Sequence, residues 1–185
     1  ANEYEKRIFL EFADKSKINI VKNGINLDQF KIEKNSLRKK FEINYPFILF
    51  LGRFNEVKGI DLLLLAINHI KEKISEGNFR VIIMGVDFGY QEEMMKIIKK
   101  FKIENFIKVI KNPTRKEVIE AYDECEFLVL PSRWELSPLT PLEGFVFKKP
   151  VISTNAHGIP HTIKHEENCI LVESENYEQL GDAII

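Results

Sequence analysis

Two glutamates stand eight positions apart in the segment that follows a short apolar run at residues 127–130. Glu135 falls in a loop, and Glu143 falls in the first turns of the next predicted helix, which Ser137 would cap and Pro138 would begin. Carboxylates accept hydrogen bonds from vicinal hydroxyls, so the pair suits a sugar or a ribose. A glycosidase acid and nucleophile pair is a chemical alternative, and a helix-terminal acid beside a solvated loop acid is the purely structural one.

A second candidate site follows the apolar run at residues 47–51. Gly52 allows a sharp turn, Arg53 offers a planar donor fork to phosphate oxygens, and Lys58 adds a point charge where a helix begins. The free N–H groups at such a helix start favour anions. The segment therefore suits a diphosphate cradle, although its spacing does not match a Walker motif. A surface turn with two solvated cations fits the local residues equally well.

The elements that must position these side chains alternate regularly along the chain. Apolar runs that predict strands lie at residues 18–21, 47–51, 81–84, 107–110, 127–130, 151–153 and 170–172. The runs are continuous, which is typical of parallel strands buried on both faces. Helical patterns separate them, and in one of these Thr114 and Glu117 have the spacing of a capping box. The alternation predicts an α/β fold, a Rossmann-like parallel sheet with helices on both faces, whose ligands bind beyond the carboxyl ends of the strands.

Composition and charge exclude several classes of protein. The chain has 185 residues, with 27 Lys and Arg against 28 Asp and Glu, which suits one globular domain and gives no electrostatic case for a nucleic-acid partner. Its apolar runs are too short to span a bilayer. Cys125 and Cys169 are expected to be small buried residues in a reducing cytosol rather than a disulfide framework. The sequence therefore predicts a cytoplasmic protein.

A series of motifs follows an order that resembles the C-terminal domain of retaining GT-B glycosyltransferases, most closely those of family 4. The resemblance covers about residues 17–180 and includes that family's signature of two glutamates separated by seven residues. The motifs are Asn23-Gly24-Ile25-Asn26, the loop from Gly52 to Gly59, Gly85, Asn112-Pro113, the segment from Pro131 to Glu143, Lys149-Pro150-Val151-Ile152 and Gly158-Ile159-Pro160.

The resemblance implies one half of a GT-B fold in a hexosyltransferase, which moves a sugar from a UDP- or GDP-linked donor to an acceptor with retention of configuration. Cationic side chains would neutralise the diphosphate, so it implies no metal and no cofactor. Residues 17–185 would form the nucleotide-sugar-binding domain, and residues 1–16 a helical remnant of the inter-domain connection. A glycan, lipid or small-molecule acceptor would bind a missing N-terminal domain, and the fragment alone would be inactive. The full-length protein would be cytoplasmic or membrane-peripheral.

By the same resemblance, individual residues take roles in the donor site. Arg53 and Lys58 would hold the diphosphate and stabilise the leaving nucleotide, an electrostatic role that matches their charge. Glu135 would contact the transferred sugar, and Glu143 would accept hydrogen bonds from the ribose hydroxyls. The remaining donor-binding positions are Gly52 in the diphosphate loop, Lys111 and Asn112 near the nucleobase, and Ser137, Leu139 and Thr140 near the phosphate or sugar.

The sequence departs from the family pattern at three places, and the first of them leaves the donor sugar open. Leu136-Ser137-Pro138 replaces the usual Gly-Phe-Gly, and Pro138 has no N–H to offer a ligand. Lys148 stands where the family has glycine, which costs about 1 kcal/mol if the backbone there is left-handed. His161 replaces a glutamate. A sugar epimerase, a phosphorylase and a non-catalytic nucleotide-binding domain remain alternatives to a glycosyltransferase.

Overall fold

One six-stranded parallel sheet organises the computed structural model, which describes residues 1–31 and 37–185. The strands are β1 (Phe47–Leu51), β2 (Arg80–Gly85), β3 (Ile107–Lys111), β4 (Leu128–Leu130), β5 (Val151–Thr154) and β6 (Ile170–Val172). Their order across the sheet is β3-β2-β1-β4-β5-β6, and every neighbouring pair is parallel. This doubly wound order confirms the predicted Rossmann-like fold.

Helices connect the successive strands up to β5, and a 3₁₀ helix, Ile159–His161, lies between β5 and β6. In the described part of the chain the α-helices are α1 (Glu3–Phe9), α2 (Leu37–Lys40), α3 (Ile60–His69), α4 (Lys71–Gly77), α5 (Gln91–Phe101), α6 (Arg115–Glu124), α7 (Thr140–Val146) and α8 (Tyr177–Ile184). The predicted capping box of α6 is present, because Thr114 accepts from the Glu117 N–H while the Glu117 carboxylate accepts from the Thr114 N–H. None of these helices has both the length and the apolar character needed to cross a membrane.

The sheet buries one apolar layer on each face. Helices α3, α5 and α8 cover one face against residues such as Ile48 and Ile83, while α2 and α6 cover the other against Leu49 and Ile82. Side chains alternate along a strand, so β1 and β2 contribute to both layers. Each fully buried Leu or Ile stabilises the fold by about 1.5–3 kcal/mol, which makes this sheet a rigid base for its loops.

The predicted strand at residues 18–21 is wrong. The segment pairs with no strand among the described residues: Ile18 and Ile20 are half-buried, and Val21 is 77% exposed. An extended run becomes a strand only when a neighbour satisfies its backbone groups, and here the run lies between two short 3₁₀ helices, Lys15–Lys17 and Leu27–Phe30. Within residues 1–16 the chain forms α1, which ends at Phe9.

The strand order reverses between β1 and β4, the two central strands. From β1 the chain passes through α3 and α4 to β2 on one side, whereas from β4 it passes through α7 to β5 on the other. The loops that leave the carboxyl ends of these adjacent strands therefore diverge and open a crevice. Both segments singled out for their chemistry, residues 52–59 and 131–143, lie at this crevice.

Candidate functional site

The loop after β1 is fixed by close backbone approaches that only glycine permits. A Cβ on Gly85 would lie 1.7 Å from the Gly52 carbonyl oxygen, so the ends of β1 and β2 meet without side chains between them. Gly59 has a positive φ of 64°, and a Cβ there would lie 2.0 Å from the Pro131 carbonyl oxygen. The Asn55 side chain accepts a hydrogen bond from the Lys58 N–H at 3.1 Å. The loop therefore holds Lys58 directly beside the loop that follows β4.

Arg53 lies exposed on the same loop, supported by an aromatic ring. Its guanidinium lies over the Phe88 ring at 5.2 Å from the ring centroid, a cation–π arrangement. Phe88 is itself held by a hydrogen bond from its N–H to the Phe54 carbonyl at 3.0 Å. Within the described ranges no carboxylate pairs with Arg53. Its donor fork is therefore available to a ligand anion.

A residue that the sequence reasoning missed, Arg133, anchors the loop after β4. Its guanidinium donates to both Asp61 carboxylate oxygens at 2.7 and 2.6 Å, to the Glu56 carbonyl at 2.8 Å, and its Nε lies 2.8 Å from Glu175 Oε1. The hydrogen bonds from Arg133 to Asp61 raise the pKa of Arg133 above its ordinary value. The charge of Arg133 is thus neutralised by its partners. Its bidentate hydrogen bonds to Asp61 fix the position of this loop relative to α3.

Two predicted site residues, Lys58 and Glu135, form a direct ion pair. The Lys58 ammonium donates to Glu135 Oε1, which also accepts from the Ser132 hydroxyl at 3.2 Å. The two side chains are 18% and 14% exposed, so the pair is largely shielded from water. They lie 77 positions apart in the sequence and meet because β1 and β4 are neighbours. The cation predicted for the diphosphate is therefore paired with the carboxylate predicted for the sugar.

The expected start of the next helix is wrong. Helix α7 begins at Thr140 with Leu139 as its N-cap residue and Pro141 in its first turn, so Ser137 does not cap the helix and Pro138 does not begin it. The Ser137 hydroxyl instead donates to the Glu5 carboxylate of α1. This contact with an element far away in sequence replaces the local cap. Leu139 is 46% exposed beside the crevice.

Glu143 lies in α7 and is held at both carboxylate oxygens. The Tyr122 hydroxyl donates to its Oε2 at 2.6 Å, and Arg115 Nη1 lies 3.1 Å from its Oε1. Tyr122 is fully buried and its ring stacks on Phe147 at 6.0 Å between centroids, with an interplanar angle of 8°. Burial and the adjacent Glu143 both raise the pKa of Tyr122, so the phenol keeps its proton. Sequence reasoning placed Glu143 in the site but did not identify these two partners.

The predicted nucleobase residues lie at the same edge, at the end of β3. Lys111 is the last residue of β3 and pairs in register with Gly85. Asn112 has a positive φ of 49°, and its N–H donates to the Gly85 carbonyl at 2.8 Å. Asparagine tolerates this left-handed conformation, and the turn leads directly into α6 with Arg115. The loops after β1, β2, β3 and β4 therefore border one crevice.

The N-terminal segment supports the Glu135 loop from outside. The Asn2 amide, only 5% exposed, donates to the carbonyls of Leu136 at 2.7 Å and Gly158 at 3.1 Å. The Asn23 amide donates to the Ser137 carbonyl at 3.1 Å. Gly158 is itself close to the loop, because a Cβ there would lie 1.6 Å from the Leu136 carbonyl oxygen. The loop thus depends on elements near both ends of the sequence.

One family departure has the predicted backbone consequence. Lys148 adopts a positive φ of 57°, the left-handed conformation that favours the glycine usual at this position. His157 also has a positive φ of 48°, and its Nδ1 lies 2.6 Å from the Tyr4 hydroxyl oxygen. Neither residue is in the crevice-forming loops after β1 or β4. The departure at Lys148 therefore lies outside the charged groups of the candidate site.

A cavity of about 690 Å³ lies at the amino-terminal ends of the strands, opposite the crevice, where β5 and β6 begin. Its lining includes Phe127, Phe145, Ile170 and Ile184. Ligands of open α/β sheets bind beyond the carboxyl ends of the strands rather than at this edge. The crevice with Arg53 and the Lys58–Glu135 pair is therefore the better candidate for polar chemistry.

Comparison with known proteins agrees with this fold. The family model described as glycosyl transferases group 1 matches residues 32–185. The chain belongs to this family. A glycosyltransferase of Methanocaldococcus jannaschii is 30% identical over 174 residues, which cover 92% of this chain and 44% of that protein. The predicted glycosyltransferase kinship is thus confirmed at the level of the group 1 family.

Solved structures of about twice this length contain the same fold. A glycosyltransferase from Rickettsia africae ESF-5 superposes with a TM-score of 0.86 at 26% identity, covering 99% of this chain and 50% of that one. Anabaena HepE, solved in complex with UDP and glucose, superposes with a TM-score of 0.84 at 18% identity, covering 99% and 50%. The group 1 domain described here therefore spans half or less of the length of these relatives.

Proposed function

We propose that this group 1 domain binds the donor of a retaining glycosyltransferase of family 4 and forms its C-terminal half. The donor is a nucleoside-diphosphate sugar, linked to UDP or GDP, and the sugar is a hexose. The observation that carries the proposal is the Lys58–Glu135 pair at the point where the strand order reverses, with Arg53 on the loop that carries Lys58 and Glu143 in the helix that follows the Glu135 loop. Cations for a diphosphate and carboxylates for hydroxyls are the groups that such a ligand requires.

In this proposal the ligand crosses the crevice from β3 to β4. Lys111 and Asn112 contact the nucleobase, Glu143 accepts hydrogen bonds from the ribose, and Arg53 and Lys58 bind the diphosphate. Positive charge at that place stabilises the negative charge that develops on the leaving nucleotide. Family membership supports these roles, and so does the UDP bound to Anabaena HepE, a protein of the same fold.

The sugar end of the donor contacts the loop that follows β4. Glu135 binds hydroxyls of the transferred sugar, and the backbone around Ser137, Leu139 and Thr140 contacts phosphate or sugar, with Gly52 providing close access on the other side. Because Lys58 and Glu135 are paired in this structure, the ammonium exchanges the carboxylate for a phosphate oxygen when the donor binds. The pair keeps both groups in place until then, without a metal ion in the scheme.

The acceptor, a glycan, lipid or small molecule, binds a second domain in this proposal. Relatives that are about twice as long support it, because the described domain matches only 44–50% of their lengths. The domain alone then binds the donor nucleotide and transfers no sugar. A cytoplasmic or membrane-peripheral location of the complete protein stays a prediction from the sequence.

Isothermal titration calorimetry with UDP and GDP tests the donor site. We expect one of the two nucleotides to bind, and Arg53→Ala and Glu143→Ala each to weaken its binding by about tenfold, since each removes a charged hydrogen-bonding group. Lys99→Ala, on the exposed surface of α5, is the matched control and leaves the affinity unchanged. Binding of neither nucleotide at millimolar concentration, or equal affinity in all variants, contradicts the proposal.

A further inference from the structure

The Glu143 carboxylate has one side that contacts the protein, called here the inner side, and another that has no protein partner among the described residues. On the inner side the Tyr122 hydroxyl donates to Oε2 at 2.6 Å and Arg115 approaches Oε1 at 3.1 Å. A carboxylate offers about four acceptor positions on its two oxygens. One position on each oxygen is thus occupied by the protein, and each oxygen keeps another. The Glu143 side chain is 18% exposed, so part of the carboxylate remains accessible.

The two partners of Glu143 are not equivalent. Arg115 is 48% exposed and its guanidinium lies over Phe30, 4.5 Å from the ring centroid, where solvent screens its pairing with the carboxylate. Tyr122 has no exposed surface, and its ring is fixed between the sheet and Phe147. The phenol oxygen therefore has one position relative to α7. A buried donor of fixed position orients a carboxylate more strictly than a half-exposed one.

The protonation of Tyr122 suits this role. Burial and the negative charge of Glu143 raise its pKa, so the hydroxyl remains a donor at neutral pH. Hydrogen bonds to a charged acceptor are shorter and stronger than those between neutral groups, in agreement with the 2.6 Å separation. Loss of that donor would leave Glu143 free to rotate about its side-chain bonds toward Arg115.

We propose that Tyr122 is a positioning residue that orients the Glu143 carboxylate to accept both vicinal hydroxyls of a ribose, which makes the site select ribonucleotides over deoxyribonucleotides. This inference rests on the proposed donor site. Tyr122 itself does not touch the ligand: it acts from the core through Glu143. Selectivity for ribose therefore originates in α6, one element away from the crevice.

Tyr122→Phe tests this proposal because it removes one oxygen and keeps the ring that packs on Phe147. Calorimetry measures the affinities for UDP and 2′-deoxy-UDP, and for GDP and 2′-deoxy-GDP, in the wild type and the variant. We expect the wild type to prefer the ribonucleotide by about tenfold, the value of one hydrogen bond to a charged group. In Tyr122→Phe the preference falls to within about threefold, while the affinity for the deoxynucleotide stays the same.

Tyr177→Phe is the matched control, because Tyr177 lies on α8 and its hydroxyl contacts only Glu178, at 3.5 Å, among the described residues. This variant retains the wild-type preference. Thermal unfolding of all variants separates a loss of selectivity from a loss of folded protein. A Tyr122→Phe variant that retains the preference, or that binds both nucleotides equally more weakly, overturns the positioning role.

Glu143→Gln in the same series separates the two levels of the inference. If Glu143→Gln abolishes the preference for ribose while Tyr122→Phe keeps it, the positioning role of Tyr122 is wrong and the donor site stands. If Glu143→Gln also keeps the preference, Glu143 does not bind ribose and the inference fails at its first step. If the wild type binds no nucleotide, the proposed function itself is contradicted.

Discussion

Glu135 and Glu143 are neighbours in sequence and similar in exposure, at 14% and 18%, yet the protein holds them in different ways. Glu135 lies in a loop and pairs with Lys58, a cation that lies in the diphosphate loop. Glu143 lies in a helix and receives a hydrogen bond from the buried Tyr122. Glu135 is therefore held from a neighbouring loop, whereas Glu143 is held from the core by Tyr122, which has no exposed surface.

Under the proposed function, this difference separates a region that would rearrange from a region that is already arranged for its ligand. On the Glu135 side, the proposed donor would replace the ion pair with a contact between Lys58 and phosphate, so part of the binding free energy would be used to open the pair. On the Glu143 side, Tyr122 already holds the carboxylate, so no such opening would be needed. The account therefore expects the end of the crevice at Glu143 to be preorganised and the end at Glu135 to adjust.

The largest expected effect comes from disturbing the backbone beneath Glu135. A Cβ in Gly158→Ala would lie 1.6 Å from the Leu136 carbonyl oxygen, so the loop after β4 must shift. We expect a loss of about 3 kcal/mol in the free energy of unfolding, the upper range for overpacked sites. Urea denaturation measures it.

Gly24→Ala is the matched control, because a Cβ on Gly24 meets nothing within 4 Å. The control is expected to unfold within about 0.5 kcal/mol of the wild type. A Gly158→Ala variant as stable as Gly24→Ala would show that the Glu135 loop shifts at no cost. The close approach of Gly158 to Leu136 would then not be required for the folded structure.

A smaller effect separates the two carboxylates directly. Glu135→Gln removes the charge that holds Lys58, and we expect the affinity for UDP or GDP to rise about threefold, because the freed ammonium binds phosphate without opening an ion pair. Glu143→Gln has the opposite effect and lowers that affinity about tenfold. Calorimetry measures both. Changes of the same sign and size in the two variants would contradict the division of the crevice into an adjusting and a preorganised end.

The fold was largely predictable because its strands are continuous apolar runs. Six of the seven predicted strands are present, at residues that agree within a few positions. The seventh, at residues 18–21, has the same local composition but lies where Val21 is exposed and none of the described strands is adjacent. Apolar content indicates a strand only when the tertiary structure supplies a partner, and a single sequence does not contain that information.

The site was predictable in its residue types but not in its pairings. Arg53, Lys58, Glu135 and Glu143 all lie at the expected edge of the sheet, since each follows or lies near the end of a strand that the sequence predicted. The contact between Lys58 and Glu135 depends on strand order, which the sequence did not specify. The hydrogen bond from Tyr122 to Glu143 could not be predicted, because an aromatic residue at a buried helix position usually contributes only packing.

Arg133 is a second case in which residue type alone does not identify a binding residue. By residue type it was as good a candidate for a phosphate ligand as Arg53. In the structure it is fully engaged by Asp61, Glu175 and the backbone, whereas Arg53 lies on an aromatic face. Only the partners distinguish a structural arginine from one available to a ligand.

The measurement that tests the central claim most directly is a titration of the ¹⁵N-labelled domain with UDP and GDP, followed by amide chemical shifts. We predict that the binding nucleotide shifts amides in residues 52–59, 111–115 and 132–143, at the carboxyl edge of the sheet. Shifts confined to the opposite edge, around Phe127, Cys169 and Ile170 beside the apolar cavity, would contradict the account.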